Sequence, residues 1–141
     1  MTRIVYVNGE YVREVEAKVS IFDRGFLFAD GVYEVTSVLG GKLIDFDGHV
    51  VRLARSLSEL QMVNPITSED LLEVHRTLVQ KNSVVEGLVY LQVTRGVADR
   101  DFAFPEGISP TVVMFTQEKS MSESPLAKRG MKVISIDDQR W

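Results

Sequence analysis

The chain has 141 residues, 45% of them hydrophobic and 26% charged, a balance that fits a globular domain and excludes a disordered segment or a membrane-spanning bundle. Its net charge of −4 is spread over interspersed signs, so no basic stripe follows a nucleic-acid backbone. The absence of cysteine excludes a disulfide scaffold, a thiolate nucleophile and a thiolate metal site.

No stretch reads as a secretory signal or reaches transmembrane length, which predicts a cytoplasmic protein with no membrane or nucleic-acid partner. At the start, Ile4-Val5-Tyr6-Val7 and Tyr11-Val12 flank Asn8-Gly9, a pair that supplies the positive φ angles of a tight hairpin turn. Val15 to Ser20 continues extended into a loop. There Asp23-Arg24-Gly25 reads as a turn, and Asp30-Gly31 as a second one. The β-branched and aromatic residues from Val32 to Leu39 predict a strand, Gly40-Gly41 turns the chain, and Lys42-Leu43-Ile44 returns. Short strands joined by glycine turns suggest an antiparallel meander.

Asp47 is placed as the N-cap of a helix with an apolar stripe at Val50, Leu53, Leu57 and Leu60. A second helix is predicted to start at Thr67 or Ser68, with Glu69 and Asp70 at the positive end of its dipole and a stripe of Leu71, Leu72, Leu78 and Val79. Leu88 to Arg95 reads as a well-covered strand and Thr111 to Thr116 as another. Residues 119–130 have the composition of a linker, and Met131 to Ile136 predicts the first strand of a further domain. The fold class is therefore α/β of the α+β kind: an antiparallel-rich sheet with two helices packed on it.

Three sets of polar residues are candidates for chemistry. Arg24 and Tyr33 bracket two turns ahead of a strand, as residues delivered to a pocket from a rigid scaffold do. His49 and Arg52 are three apart on the first helix, hence on one face, and read either as a surface pair or as ligands. Arg95 and Arg100 flank a glycine-containing loop at the end of a strand, where an arginine is solvated or binds an anion. The only histidines, His49 and His75, fall in different predicted helices without a carboxylate cluster, so no metal site is expected.

The run from Asp23 to Glu34, Asp-Arg-Gly-Phe-Leu-Phe-Ala-Asp-Gly-Val-Tyr-Glu, resembles the signature loop of the fold-type IV, pyridoxal-phosphate-dependent aminotransferases. Three more stretches match in order: Asp47 to Leu53, Val93 to Gly96 through Phe104-Pro105-Glu106, and Asp137 to Trp141. The branch most resembled is D-amino acid aminotransferase, with branched-chain aminotransferase and aminodeoxychorismate lyase as alternatives of the same fold. A non-catalytic binding domain is the alternative outside the enzyme class.

The resemblance implies a role for several residues. Arg52 would be a ligand of the cofactor's phosphate, and Tyr33 with Arg100 would bind the substrate carboxylate. Arg100 falls on the arginine of the family's R-x-H pattern, whose histidine position is here Phe102; a ring packed as core is the other reading of Phe102. Arg24 and Arg140 match positions near the cofactor or in loop packing. Pyridoxal 5'-phosphate, amino acid and 2-oxo acid substrates and a homodimer are likewise implied.

The resemblance also implies that the Schiff-base lysine follows shortly after Trp141, so this chain carries no catalytic residue of its own and is expected to be inactive alone. Residues 1–118 would be the small N-terminal domain, 119–130 the linker, and 131–141 the start of the cofactor-binding domain.

Overall fold

The computed structural model describes residues 2–120, 123 and 129–137. Asn8 at φ 48° and Gly9 at φ 100° close a hairpin between β1 (Ile4–Val7) and β2 (Glu10–Arg13), as the Asn-Gly pair predicts. The expected turn at Asp23 is instead the N-cap of a short helix, α1 (Arg24–Phe28), with the Asp23 carboxylate accepting the Gly25 amide at 2.8 Å. Aspartate serves turns and caps alike, and five residues are too few to show a helical period.

β3 (Gly31–Leu39) and β4 (Lys42–Leu43) form the second hairpin. Helix α2 (Phe46–Glu59) begins after Asp45 rather than at the expected cap Asp47, which sits in its first turn. Asp45 makes no side-chain cap bond, so the backbone geometry and not a capping signal sets this start. Helix α3 (Ser68–Lys81) is capped as predicted: Thr67 Oγ1 accepts from the Asp70 amide at 3.1 Å. β5 (Glu86–Thr94) and β6 (Thr111–Glu118) complete the set.

The six strands form one antiparallel sheet in the order β2-β1-β6-β5-β3-β4. This corrects the expected meander, because the two hairpins lie at opposite edges and β1 pairs with β6, not with β3. Helices α2 and α3 cover one face. Leu53 and Leu57 of α2, with Leu71, Val74, Leu78 and Val79 of α3, meet Val38, Val89, Leu91, Val93, Val112 and Met114 of the sheet. Each buried aliphatic side chain contributes about 1.5–3 kcal/mol relative to exposure. Leu60, placed by period on the apolar stripe of α2, is exposed just past the end of the helix.

The strand expected over Met131 to Ile136 is not formed. Met131, Val133, Ile134 and Ile136 are exposed, and no described strand lies alongside to supply the hydrogen bonds that a strand needs. Lys128, Arg140 and Trp141 lie outside the described residues.

Candidate functional site

β4 pairs with Val38 and Leu39 and the Ile44 amide donates to the Ser37 carbonyl, so among the described residues Gly31 to Thr36 run with the outer edge of β3 unpaired. Strand alternation turns Glu34, Thr36 and Val38 toward the helices and Tyr33 and Val35 to the opposite face. Helix α2 crosses above this stretch and brings His49 and Arg52 down onto Glu34. Arg52 Nε donates to Glu34 Oε1 at 2.7 Å, Arg52 Nη2 donates to Oε2 at 2.6 Å, and His49 Nδ1 lies 2.8 Å from Oε2. The arginine fork thus meets the carboxylate in bidentate fashion. With Nδ1 donating to the carboxylate, the Nε2 of a neutral His49 is an acceptor.

The pair is asymmetric. The Glu34 side chain is 4% exposed and that of Arg52 is 63% exposed. Burial pushes the Glu34 carboxyl up, but the hydrogen bonds and charges of Arg52 and His49 outweigh it and hold the group below the usual carboxylate range. In return Glu34 raises the pKa of the Arg52 guanidinium, with smaller contributions from Asp45 and from the Tyr33 phenol. Arg52 Nη1 makes no hydrogen bond to a described residue, so this fixed cation keeps donors facing outward. Tyr33 itself is 65% exposed and stacks on Tyr90 at 5.9 Å, which stacks in turn on Phe115 at 4.9 Å.

A second constellation holds the loop after β5. Asp30 Oδ2 accepts from Arg24 Nε and from Arg95 Nε, each at 2.8 Å, and all three side chains are largely shielded from water. Burial raises the Asp30 pKa, and the two arginines more than reverse it. Arg24 is 3% exposed and donates from Nη1 to the Asp101 carbonyl at 2.8 Å, which makes it a loop-packing residue. Arg100 contacts the rings of Phe28 at 5.0 Å and Phe102 at 5.2 Å.

The structure therefore brings Tyr33 and Arg52 to one open strand edge, while Tyr33 and Arg100 make no hydrogen bond or ring contact with each other. Phe102, read as either a clamp position or core, is 80% exposed and is not core. Sequence reasoning misses Glu34, although a charged residue in phase with buried Thr36 and Val38 marks it. Among the described residues no group of three or more His, Asp or Glu is placed to share a metal ion. A surface groove of about 1120 Å³ between β4 and α3 includes none of Tyr33, Glu34, Arg52 and Arg100. A site on a strand edge is open in this chain, and its chemistry outweighs the size of a groove elsewhere.

Comparison with known proteins adds three observations. Residues 31–141 match the amino-transferase class IV family. The chain is 39% identical over 138 residues to a D-alanine aminotransferase of Staphylococcus epidermidis, covering 97% of this chain and 49% of that protein. It is 36% identical over 137 residues to the D-alanine aminotransferase of Bacillus licheniformis, covering 97% and 48%. The chain spans about half the length of the curated relatives it matches. Among solved structures, the Escherichia coli branched-chain amino acid aminotransferase superposes with a TM-score of 0.81 at 19% identity, over 90% of this chain and 43% of that one. The 4-amino-4-deoxychorismate lyase of Pseudomonas aeruginosa superposes with a TM-score of 0.65 at 26% identity, over 82% and 40%. A further branched-chain amino acid aminotransferase, crystallised with pyridoxamine 5'-phosphate, gives 0.80 at 19% identity, over 89% and 42%.

Proposed function

This chain belongs to the class IV aminotransferases, and from that premise we propose that the protein carrying it transfers the amino group of a D-amino acid to a 2-oxo acid with pyridoxal 5'-phosphate as cofactor. The observation that carries the reading is the Arg52 guanidinium, anchored on buried Glu34 and turned outward beside exposed Tyr33. A cation held by two of its donors, with others free, fits a phosphate. When bound, the cofactor supplies the electron sink that weakens the Cα–H bond of the amino acid. Arg52 would hold the phosphate, Glu34 would fix the angle of Arg52, and His49 would brace the second oxygen of Glu34. Tyr33 and Arg100 would bind the substrate carboxylate, the phenol as a donor and the guanidinium as the charge partner.

The preference for D-amino acids is supported by identities of 36–39% to proteins named D-alanine aminotransferases, against 19% to the branched-chain enzymes of matching fold. We read the working form as a cytoplasmic homodimer, which light scattering of the full-length protein tests directly. The decisive experiment is turnover by that protein with 2-oxoglutarate as acceptor. D-Alanine as the preferred donor supports the reading. Preference for L-leucine moves the protein to the branched-chain alternative, and lyase activity on 4-amino-4-deoxychorismate moves it to the other. No turnover of any of these by cofactor-loaded protein leaves a binding domain.

A further inference from the structure

The second constellation is more than a loop clasp, because its cations and rings alternate. Arg95 lies over the Phe104 ring at 4.2 Å, and Arg24 over Phe104 at 5.8 Å and over Phe28 at 4.7 Å. Arg100 lies over Phe28 at 5.0 Å and over Phe102 at 5.2 Å. Three guanidinium groups thus interleave with three rings, and Phe28 carries two cations. The inner two cations share the carboxylate of Asp30. The outer one, exposed Arg100, has no carboxylate within 4.0 Å among the described residues.

That arrangement leaves Arg100 a cation in need of an anion, with its position set by a ring instead of an ion pair. The N–H donors of a guanidinium lie in its own plane, so resting on a ring face attracts the charge without consuming the donors. Phe28 is in turn held by Arg24, whose Nε and Nη1 are committed to Asp30 and to the Asp101 carbonyl.

We infer that Phe28 is a positioning residue that holds Arg100 ready for a carboxylate, an inference that rests on the reading of Arg100 as the carboxylate-binding cation. Phe28 touches Arg100 and would act through it. It acts by reducing the side-chain freedom that Arg100 would otherwise lose on binding. Phe28 is only half-buried, so an aliphatic replacement leaves the core intact.

Two measurements test this. In the full-length protein, Arg100→Ala, Phe28→Leu and Phe28→Tyr are compared for KM and kcat with D-alanine. Phe28→Leu is expected to raise KM roughly three- to tenfold with kcat within about twofold, and Phe28→Tyr, which keeps the ring face, to stay near the unsubstituted protein. In the 141-residue chain, the Arg100 Nε–Hε signal in a 15N-correlated NMR spectrum should shift in Phe28→Leu by loss of the Phe28 ring current, with that of Phe102 retained, while the Arg52 signal stays in place. Phe28→Met serves in the same two measurements where the leucine variant does not fold. A KM raised by Arg100→Ala but untouched by Phe28→Leu overturns the inference alone. A KM untouched by Arg100→Ala removes the carboxylate role of Arg100 and the inference with it. Absence of aminotransfer in the unsubstituted protein removes the proposed function first.

Discussion

Glu34 and Arg52 form an ion pair whose anion is buried and whose cation is not, the two side chains being 4% and 63% exposed. The strand therefore supplies a fixed negative seat and the helix an outward-facing charge, so the two partners respond differently to substitution.

Arg52→Ala in the full-length protein is expected to lower the affinity for pyridoxal 5'-phosphate roughly tenfold to a hundredfold, by loss of a charge-assisted, forked contact. Arg52→Lys should recover only part, since lysine keeps the charge and loses the fork. Cofactor titration followed by absorbance checks this, and equal affinity in the alanine variant returns Arg52 to the helix surface. Glu34→Ala should instead lower the stability of the chain by about 2–3 kcal/mol, because Glu34 is the buried partner to which His49 and Arg52 both bond. Urea unfolding reads that difference.

The pH dependence of stability should fall in two stages. Burial lowers the pKa of His75 from 6.5 to about 4, while its Nδ1 bonds the Leu71 carbonyl at 2.8 Å. The unfolded chain takes up that proton first, so stability is full above pH 6.5 and declines as pH falls toward 4. By linkage the loss between pH 7 and pH 5 is about 2 kcal/mol. Glu34 and Asp30 are held below the ordinary carboxylate range, so their contribution is present above the unfolded value near 4 and is lost as pH falls through their lower folded values. Denaturation at about pH 7 and 5 reads the first stage, and the interval from about 5 to 3.5 holds the end of the first together with the second. His75→Gln should flatten the first and leave the second, and a first stage of unchanged size in that variant refutes the assignment to His75.

The 141-residue chain alone is expected to form no stoichiometric, site-specific lysine adduct with pyridoxal 5'-phosphate after borohydride treatment. Lys18, Lys42, Lys81, Lys119 and Lys132 are all exposed, and none belongs to the site at β3. Peptide mapping decides the matter, and one lysine labelled to completion sinks the prediction.

Phe102→His asks whether the imidazole missing from the R-x-H pattern sets activity toward D-amino acids. Because Phe102 is 80% exposed, a polar ring there involves no core burial, and the melting temperature should hold. One added hydrogen bond to a carboxylate is worth about 1 kcal/mol, a gain of about fivefold in kcat/KM for D-alanine. A folded variant with no change for either enantiomer places the carboxylate elsewhere.

Much of this was legible in the sequence because it is local. Asn8-Gly9 specified the first hairpin, Thr67 the start of α3, and β-branched runs the central strands. Strand order was not, since the pairing of β1 with β6 is a long-range fact that no local pattern encodes. Type and spacing left His49 and Arg52 open between a surface pair and ligands, and the family resemblance is what singled out Arg52 and Tyr33. Glu34 did not, because a glutamate within a strand reads as solvent-facing until the register shows Thr36 and Val38 beside it on the inner face. The alternation of Arg24, Arg95 and Arg100 with Phe28, Phe102 and Phe104 joins α1 to the loop after β5, far apart in the chain, and only the folded backbone interleaves them.

The sheet order has a consequence for how the domain is assembled. β6 is the last of the six strands made, yet it lies between β1 and β5, with Val7 opposite Val113 and Tyr90 opposite Phe115. Asn82 stitches the same seam, bonding the backbone of Ile4 and the hydroxyl of Thr116. Until Thr111 to Glu118 leaves the ribosome, the first hairpin has no strand to join, and Val89, Leu91 and Val93 belong to a strand with one unpaired edge. The nascent chain must hold β5 open along one edge to a partner that arrives last, which marks that interval as the one in which a chaperone matters most.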